Sequence, residues 1–181
     1  FDAFKILVGT LTAQSKSILE AKIFIRKDGI VIITANIEDN EKTIAGDLET
    51  WKKLKQDLST IFEGHENLSN LLAQRPRYIS EKKIPAAITP KVKLDNTSDP
   101  NFSIIRIEAR DHLGMLYKIS KVFSDLDIRI HSAKVSTQGG RGIDVFYVSH
   151  QNKKILFEKL ARSTKEKTIS AMMVKNPEEL G

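Results

Sequence analysis

A repeat constrains this chain more than any other feature. The segment Ile18-Leu-Glu-Ala-Lys-Ile23 matches Ile130-His-Ser-Ala-Lys-Val135 at an offset of 112 residues, and at the same offset Phe4, Leu7 and Leu11 fall on Leu116, Ile119 and Phe123. Two copies of one unit within 181 residues imply two small domains of one kind rather than one large domain.

The second copy is the more legible. Ile105, Ile107 and Ala109 alternate with Arg106, Glu108 and Arg110, the period of a strand with one buried face. Asp111-His-Leu-Gly114 makes a turn. Leu116, Ile119, Val122, Phe123 and Leu126 then recur three to four apart, as along one stripe of a helix. Extended runs over 128–137 and 143–149 flank Gln138-Gly-Gly-Arg-Gly142, whose glycines supply the positive φ angles of a hairpin. Alternation blurs across His131, Ser132 and Ala133, as at a bulge.

After each hairpin the pattern predicts a helical segment, 48–73 in the first copy and 153–162 in the second. An extended stretch then closes each copy, 90–95 and 168–174. The order β-α-β-β-α-β predicts an α+β fold of two ferredoxin-like units, each with four antiparallel strands covered on one face by two helices. The first unit spans 1–95 with an extended, proline-bearing connector at 75–90, the linker is 96–101, and the second unit spans 102–181. By the offset, the strand at 102–110 maps before Phe1, so the first unit lacks its first strand. Strand 31–37 is therefore expected to want a neighbour, supplied by another chain or by a repositioned 86–94 segment, or else the first unit is expected to be poorly ordered.

Composition narrows the function. With 40% hydrophobic and 29% charged residues, the chain is an ordinary globular one. The absence of cysteine excludes a disulfide framework, a thiolate metal site and a cysteine nucleophile, and fits a reducing, cytoplasmic setting. No apolar run approaches the roughly 20 residues that span a bilayer, so no membrane partner is expected. The net charge of +6 is scattered rather than blocked, the pattern of a solvated surface. An RNA-recognition module shares the element order, but Arg141-Gly-Ile-Asp-Val-Phe-Tyr-Val148 matches only the first two positions of its aromatic motif, and no nucleic-acid partner is expected. His65, His112, His131 and His150 lack metal-ligand spacing, so neither a metal site nor catalytic residues are expected.

The turn after the first strand has two compatible readings. Asp111 is a good N-cap for a helix starting near His112, contributing about 1 kcal/mol, with Gly114 easing the first turn. A helix N-terminus also offers free N–H groups and a positive dipole end to a carboxylate, and glycine lets a ligand approach.

The unit resembles an ACT domain, whose first turn carries an Asp-x-x-Gly pattern like Asp111-His112-Leu113-Gly114. More narrowly, 130–135 with Gly139-Gly-Arg-Gly-Ile-Asp-Val-Phe-Tyr-Val148 is similar to the last ACT domain of the bacterial [protein-PII] uridylyltransferase/uridylyl-removing enzymes. The segment Leu19-Glu-Ala-Lys-Ile-Phe-Ile-Arg-Lys-Asp-Gly29 resembles the penultimate one, and Asn176-Pro177 resembles their C-terminal tail. The chain departs from the family at His112-Leu113, where Arg-Pro is usual, and at Asp2, where glycine is usual in the first copy. The resemblance implies a C-terminal tandem ACT region that binds glutamine and regulates a parent enzyme acting on the PII signalling protein. That parent would use magnesium in a nucleotidyltransferase domain and a divalent metal in an HD hydrolase domain, with no cofactor or catalytic residue in the present chain.

In ACT pairs, within or between chains, the ligand lies between the turn of one unit and the second strand of the other. By that resemblance Asp111, His112, Leu113, Gly114 and Met115 meet Leu19, Glu20 and Ala21, with His131, Ser132 and Ala133 as further candidates and Glu20 as a partner for the ligand ammonium. A ligand-free docking or dimerising ACT module is the alternative.

Overall fold

Strand β4 (Ser103–Arg110) shows how the sequence pattern becomes a layer: Ile105, Ile107 and Ala109 are buried while Arg106 and Arg110 face solvent. The structure, a computed structural model, describes residues 3–26, 28, 30–39, 48–74, 88–156 and 158–173. In chain order its elements are α1 (Ala3–Ala13), β1 (Lys16–Ile25), β2 (Val31–Asp39), α2 (Leu48–Phe62), α3 (Leu68–Ala73), β3 (Lys91–Asp95), β4, α4 (Met115–Asp125), β5 (Ile128–Gln138), β6 (Arg141–His150) and α5 (Glu158–Met173). The predicted 48–73 segment is thus two helices, separated where Gly64 takes φ +77° and Asn67 caps α3 through its side chain.

The strands form one antiparallel sheet in the order β2-β1-β5-β6-β4-β3. Its buried side carries Ile23, Ile105, Val135, Phe146 and Val148 against helical residues such as Val8, Leu11, Ile119 and Phe123. Lys22, Phe24, Arg106 and Lys134 are exposed, in alternation with that buried side. The two repeats are joined through β1 and β5, so the sheet runs unbroken from one unit into the other. Each repeat carries a bulge at the same place: β1 shifts register against β2 between Ile18 and Glu20, and β5 shifts against β6 between Ile130 and Ser132.

Two segments depart from expectation. The helix foreseen at 153–162 begins at Glu158 and runs to Met173, across most of the expected closing strand 168–174, whose last residue lies outside the described ones. Thr164, Thr168, Ala171 and Met172 are its buried residues, spaced four, three and one apart along one helical stripe.

The place of a closing strand in the second unit is taken instead by β3. This strand was expected to close the first unit, but it pairs with β4 from Lys91↔Glu108 to Asp95↔Ile104. A strand seven residues upstream of β4 reaches it by a short connection, which costs little loop-closure entropy. The connection is tied down: Asn96 Nδ2 donates to the Ile155 carbonyl (3.0 Å), and Ser103 Oγ donates to Asn96 Oδ1 (2.5 Å) while accepting from the Ile155 N–H (2.8 Å). Since β3 sits at the far edge of the sheet, it does not fill the gap beside β2. Among the described residues β2 pairs with β1 alone. The connector residues 75–87 lie outside the described ones.

Candidate functional site

The turn between β4 and α4 is held by backbone contacts. Asp111 N–H donates to the Gly140 carbonyl of the β5–β6 hairpin (2.9 Å), and Met115 N–H donates to the His112 carbonyl (3.1 Å). Gly114 sits at the N-cap position of α4 with φ +83°, so Asp111 stands three residues ahead of the cap position expected of it. The helix starts three residues later than the cap expectation assumed, because left-handed Gly114 turns the chain into it.

His112 is fixed on both sides. Its Nδ1 lies 3.2 Å from the Arg110 carbonyl and its Nε2 lies 3.2 Å from Lys118 Nζ. A carbonyl only accepts and an ammonium only donates, so the ring is neutral, with the proton on Nδ1. Burial and the adjacent Lys118 ammonium push the imidazole down to about 4. Lys118 is itself fully buried.

Asp111, His112, Leu113, Gly114 and Met115 line one side of a cleft between the two units. Val8 and Thr12 of α1 and Lys16, Ser17 and Ile18 of β1 line the other, and Leu116, Val135 and Thr137 complete it. Its cavity volume is about 20 Å³, room for about one water. The turn of the second unit therefore meets the second-strand position of the first, and the residues of β1 that face it are Lys16 to Ile18 rather than Leu19, Glu20 and Ala21. Ala21 is buried in the core and Glu20 is exposed, outside the cleft.

The other candidates lie along β5, away from the cleft. His131 stacks on Phe102 with ring centroids 4.3 Å apart, and its Nε2 meets Ser149 Oγ at 2.7 Å. Ser132 pairs with Phe24 and Tyr147, and Ala133 is buried between Ile23 and Phe146. Asp2 of the first copy's turn lies outside the described residues.

Sequence reasoning passed over Val8, Thr12 and Lys16, which only the meeting of the two repeats brings to the turn. It also passed over Asp144, although alternation along β6 puts this residue on the same face as buried Phe146 and Val148. Burial pushes the Asp144 carboxyl up to about 7, and the nearby Asp111 charge adds to the shift. Among the described residues no group of three His, Asp or Glu side chains could hold a metal ion, and no helix is long and apolar enough to cross a membrane.

Comparison with known proteins agrees with this architecture. A family model described as an ACR9-like, ACT-like domain matches residues 91–175, starting at the first residue of β3. The bifunctional uridylyltransferase/uridylyl-removing enzyme of Azospirillum brasilense is 31% identical over 166 residues, covering 83% of this chain and 17% of that protein. The enzyme of the same description from Rhodospirillum rubrum is 28% identical over 145 residues, covering 80% of this chain and 16% of that protein. The chain thus spans about a sixth of the length of these curated relatives. No solved structure matches it. Matches that extend over both repeats, and an ACT-like match that begins with β3, make this chain a tandem ACT-like region similar to part of the bifunctional uridylyltransferase/uridylyl-removing enzymes.

Proposed function

We propose that this region senses a small amino acid, glutamine first among candidates, and regulates a cytoplasmic parent enzyme that uridylylates and deuridylylates the PII signalling protein. The observation that carries the reading is the cleft in which the 111–115 turn of one unit faces α1 and β1 of the other. The start of α4 offers N–H groups and a positive dipole end to a ligand carboxylate, and Gly114 presents no side chain to block it. We place the boundary between the units before β3, since β3 pairs into the second one.

The cleft is far smaller than the roughly 300–1,000 Å³ of ordinary small-molecule sites, so an amino acid enters only by moving the turn away from α1 and β1. Binding then favours one arrangement of the two units over another, which is the condition for a ligand to shift an activity elsewhere. The closed cleft, and the edge of β2 that no other strand joins among the described residues, are what favour the second reading, a ligand-free docking module.

The test is Gly114→Val in the full-length enzyme, with glutamine titrated against uridylylation and deuridylylation. The sensor reading expects the glutamine response to disappear while both activities persist. An unchanged response in a variant shown to fold moves the site elsewhere and favours docking.

A further inference from the structure

Asp144 is fully buried, yet neither carboxyl oxygen has a hydrogen-bond partner among the described residues. A buried carboxyl so poorly bonded is costly: only the Ser136 backbone amide is directed at it, and the rest of its acceptor capacity is unfilled among the described residues. Three of its neighbourhood's residues, Val135, Asp111 and Met115, line the cleft. The β5–β6 register, the same at Lys134↔Val145 and Thr137↔Gly142, sets cleft residue Val135 opposite Asp144, and the Ser136 backbone amide is directed at the carboxyl. Met115, which also lines the cleft, lies across the same strand two residues away: a Cβ on Gly142 would come within 2.7 Å of Met115 Cε. Asp111 acts on Asp144 electrostatically from the turn, β4 faces it with apolar Ile107, and the cation of α4, Lys118, is engaged with His112.

A carboxyl with unfilled acceptor capacity in the field of a second carboxylate, two residues along β6 from the contact of Gly142 with an unbranched and flexible methionine, suits a compact cation with several N–H donors. We propose that Asp144 is the ammonium subsite of the cleft: an entering amino acid displaces the Met115 side chain and sets its α-ammonium on the Asp144 carboxylate. This rests on the amino-acid-sensor reading and assigns to Asp144 the role expected of Glu20, which is exposed outside the cleft. The step is a proton exchange with solvent. Asp144, partly protonated at neutral pH, releases its proton as the ammonium arrives.

The experiment is calorimetry of L-glutamine with the 181-residue chain at pH 7, in buffers of different ionisation enthalpy, with glutaramate, which lacks the α-amino group, as a second probe. The proposal expects glutamine binding with net proton release at pH 7, and glutaramate bound at least tenfold more weakly. Asp144→Asn, with its fold checked by thermal unfolding, is expected to lose at least tenfold in affinity and all of the proton release. Glutamine bound without proton release, glutaramate bound equally well, or an Asn variant that binds like wild type each overturns the subsite while leaving the sensor reading standing. A wild-type chain that does not bind glutamine overturns both. The two wild-type measurements decide the matter even if the Asn variant does not fold.

Discussion

Lys22 of β1 and Lys134 of β5 stand directly opposite each other in the ladder that joins the two units, and they are the same residue of the repeat, 112 positions apart. The flanking pairs are Ala21↔Val135 and Ile23↔Ala133, each the repeat image of the other. A local two-fold relation therefore passes through the two lysines, which places identical exposed charges face to face.

Like charges directly opposite on antiparallel strands are unfavourable, and opposite charges contribute about 0.2–1 kcal/mol. Lys22→Glu should therefore stabilise the chain and raise its melting temperature by about 1–4 °C at low salt, with the gain shrinking as salt is added. Lys22→Glu combined with Lys134→Glu should return to the wild-type value or fall below it.

Gly9 lies in α1, where alanine ordinarily gains about 1 kcal/mol in helix propensity. A Cβ here would sit 2.7 Å from Leu68 Cδ2 and 2.9 Å from Tyr117 Cδ2, on α3 and α4 respectively. Overpacking of this kind costs about 1–3 kcal/mol, so Gly9→Ala should lower the urea midpoint, against the propensity trend. Because Tyr117 belongs to the second unit, the same variant should loosen the α1–α4 contact, seen as faster hydrogen exchange in α1.

His112 and Asp144 should tilt stability in opposite directions with pH. The imidazole falls from its ordinary 6.5 to about 4 in the folded chain, so the unfolded chain binds more protons in between; its contribution is complete above pH 6.5 and is lost as pH falls toward 4. The Asp144 carboxyl rises from 3.8 to about 7, so the folded chain binds more protons there, and stability is lost as pH rises through that window. His112→Gln should flatten the acid limb between pH 6.5 and 4. Asp144→Asn should stabilise the chain at pH 8 by more than at pH 5, the difference being on the order of 1–3 kcal/mol. Denaturant titrations at these pH values check both.

Asn96 bridges the β3–β4 connection to the segment before α5 through Ser103 and Ile155. Asn96→Ala removes two of these bonds, an expected loss of about 2 kcal/mol at roughly 1 kcal/mol each. The loss should concentrate in β3, whose amides should exchange faster while those of β1 are unchanged.

Local periodicity determined much of this protein. Alternation in Ile105, Ile107 and Ala109 gave β4, the stripe from Leu116 to Phe123 gave α4, and the 112-residue offset disclosed two units of one kind, because side-chain period depends only on neighbouring residues. Much of α5 was misread because its buried stripe includes Thr164 and Thr168, polar residues that do not stand out as an apolar face. The neighbour of β3 was decided by tertiary structure, since a strand's pattern states which face it buries and not which edge it joins. The same limit holds at the cleft: the 111–115 turn was readable, but Val8, Thr12 and Lys16 reach it only because β1 pairs with β5. Alternation alone put Asp144 inward, and only the folding of β6 beneath the turn brought it within the field of Asp111.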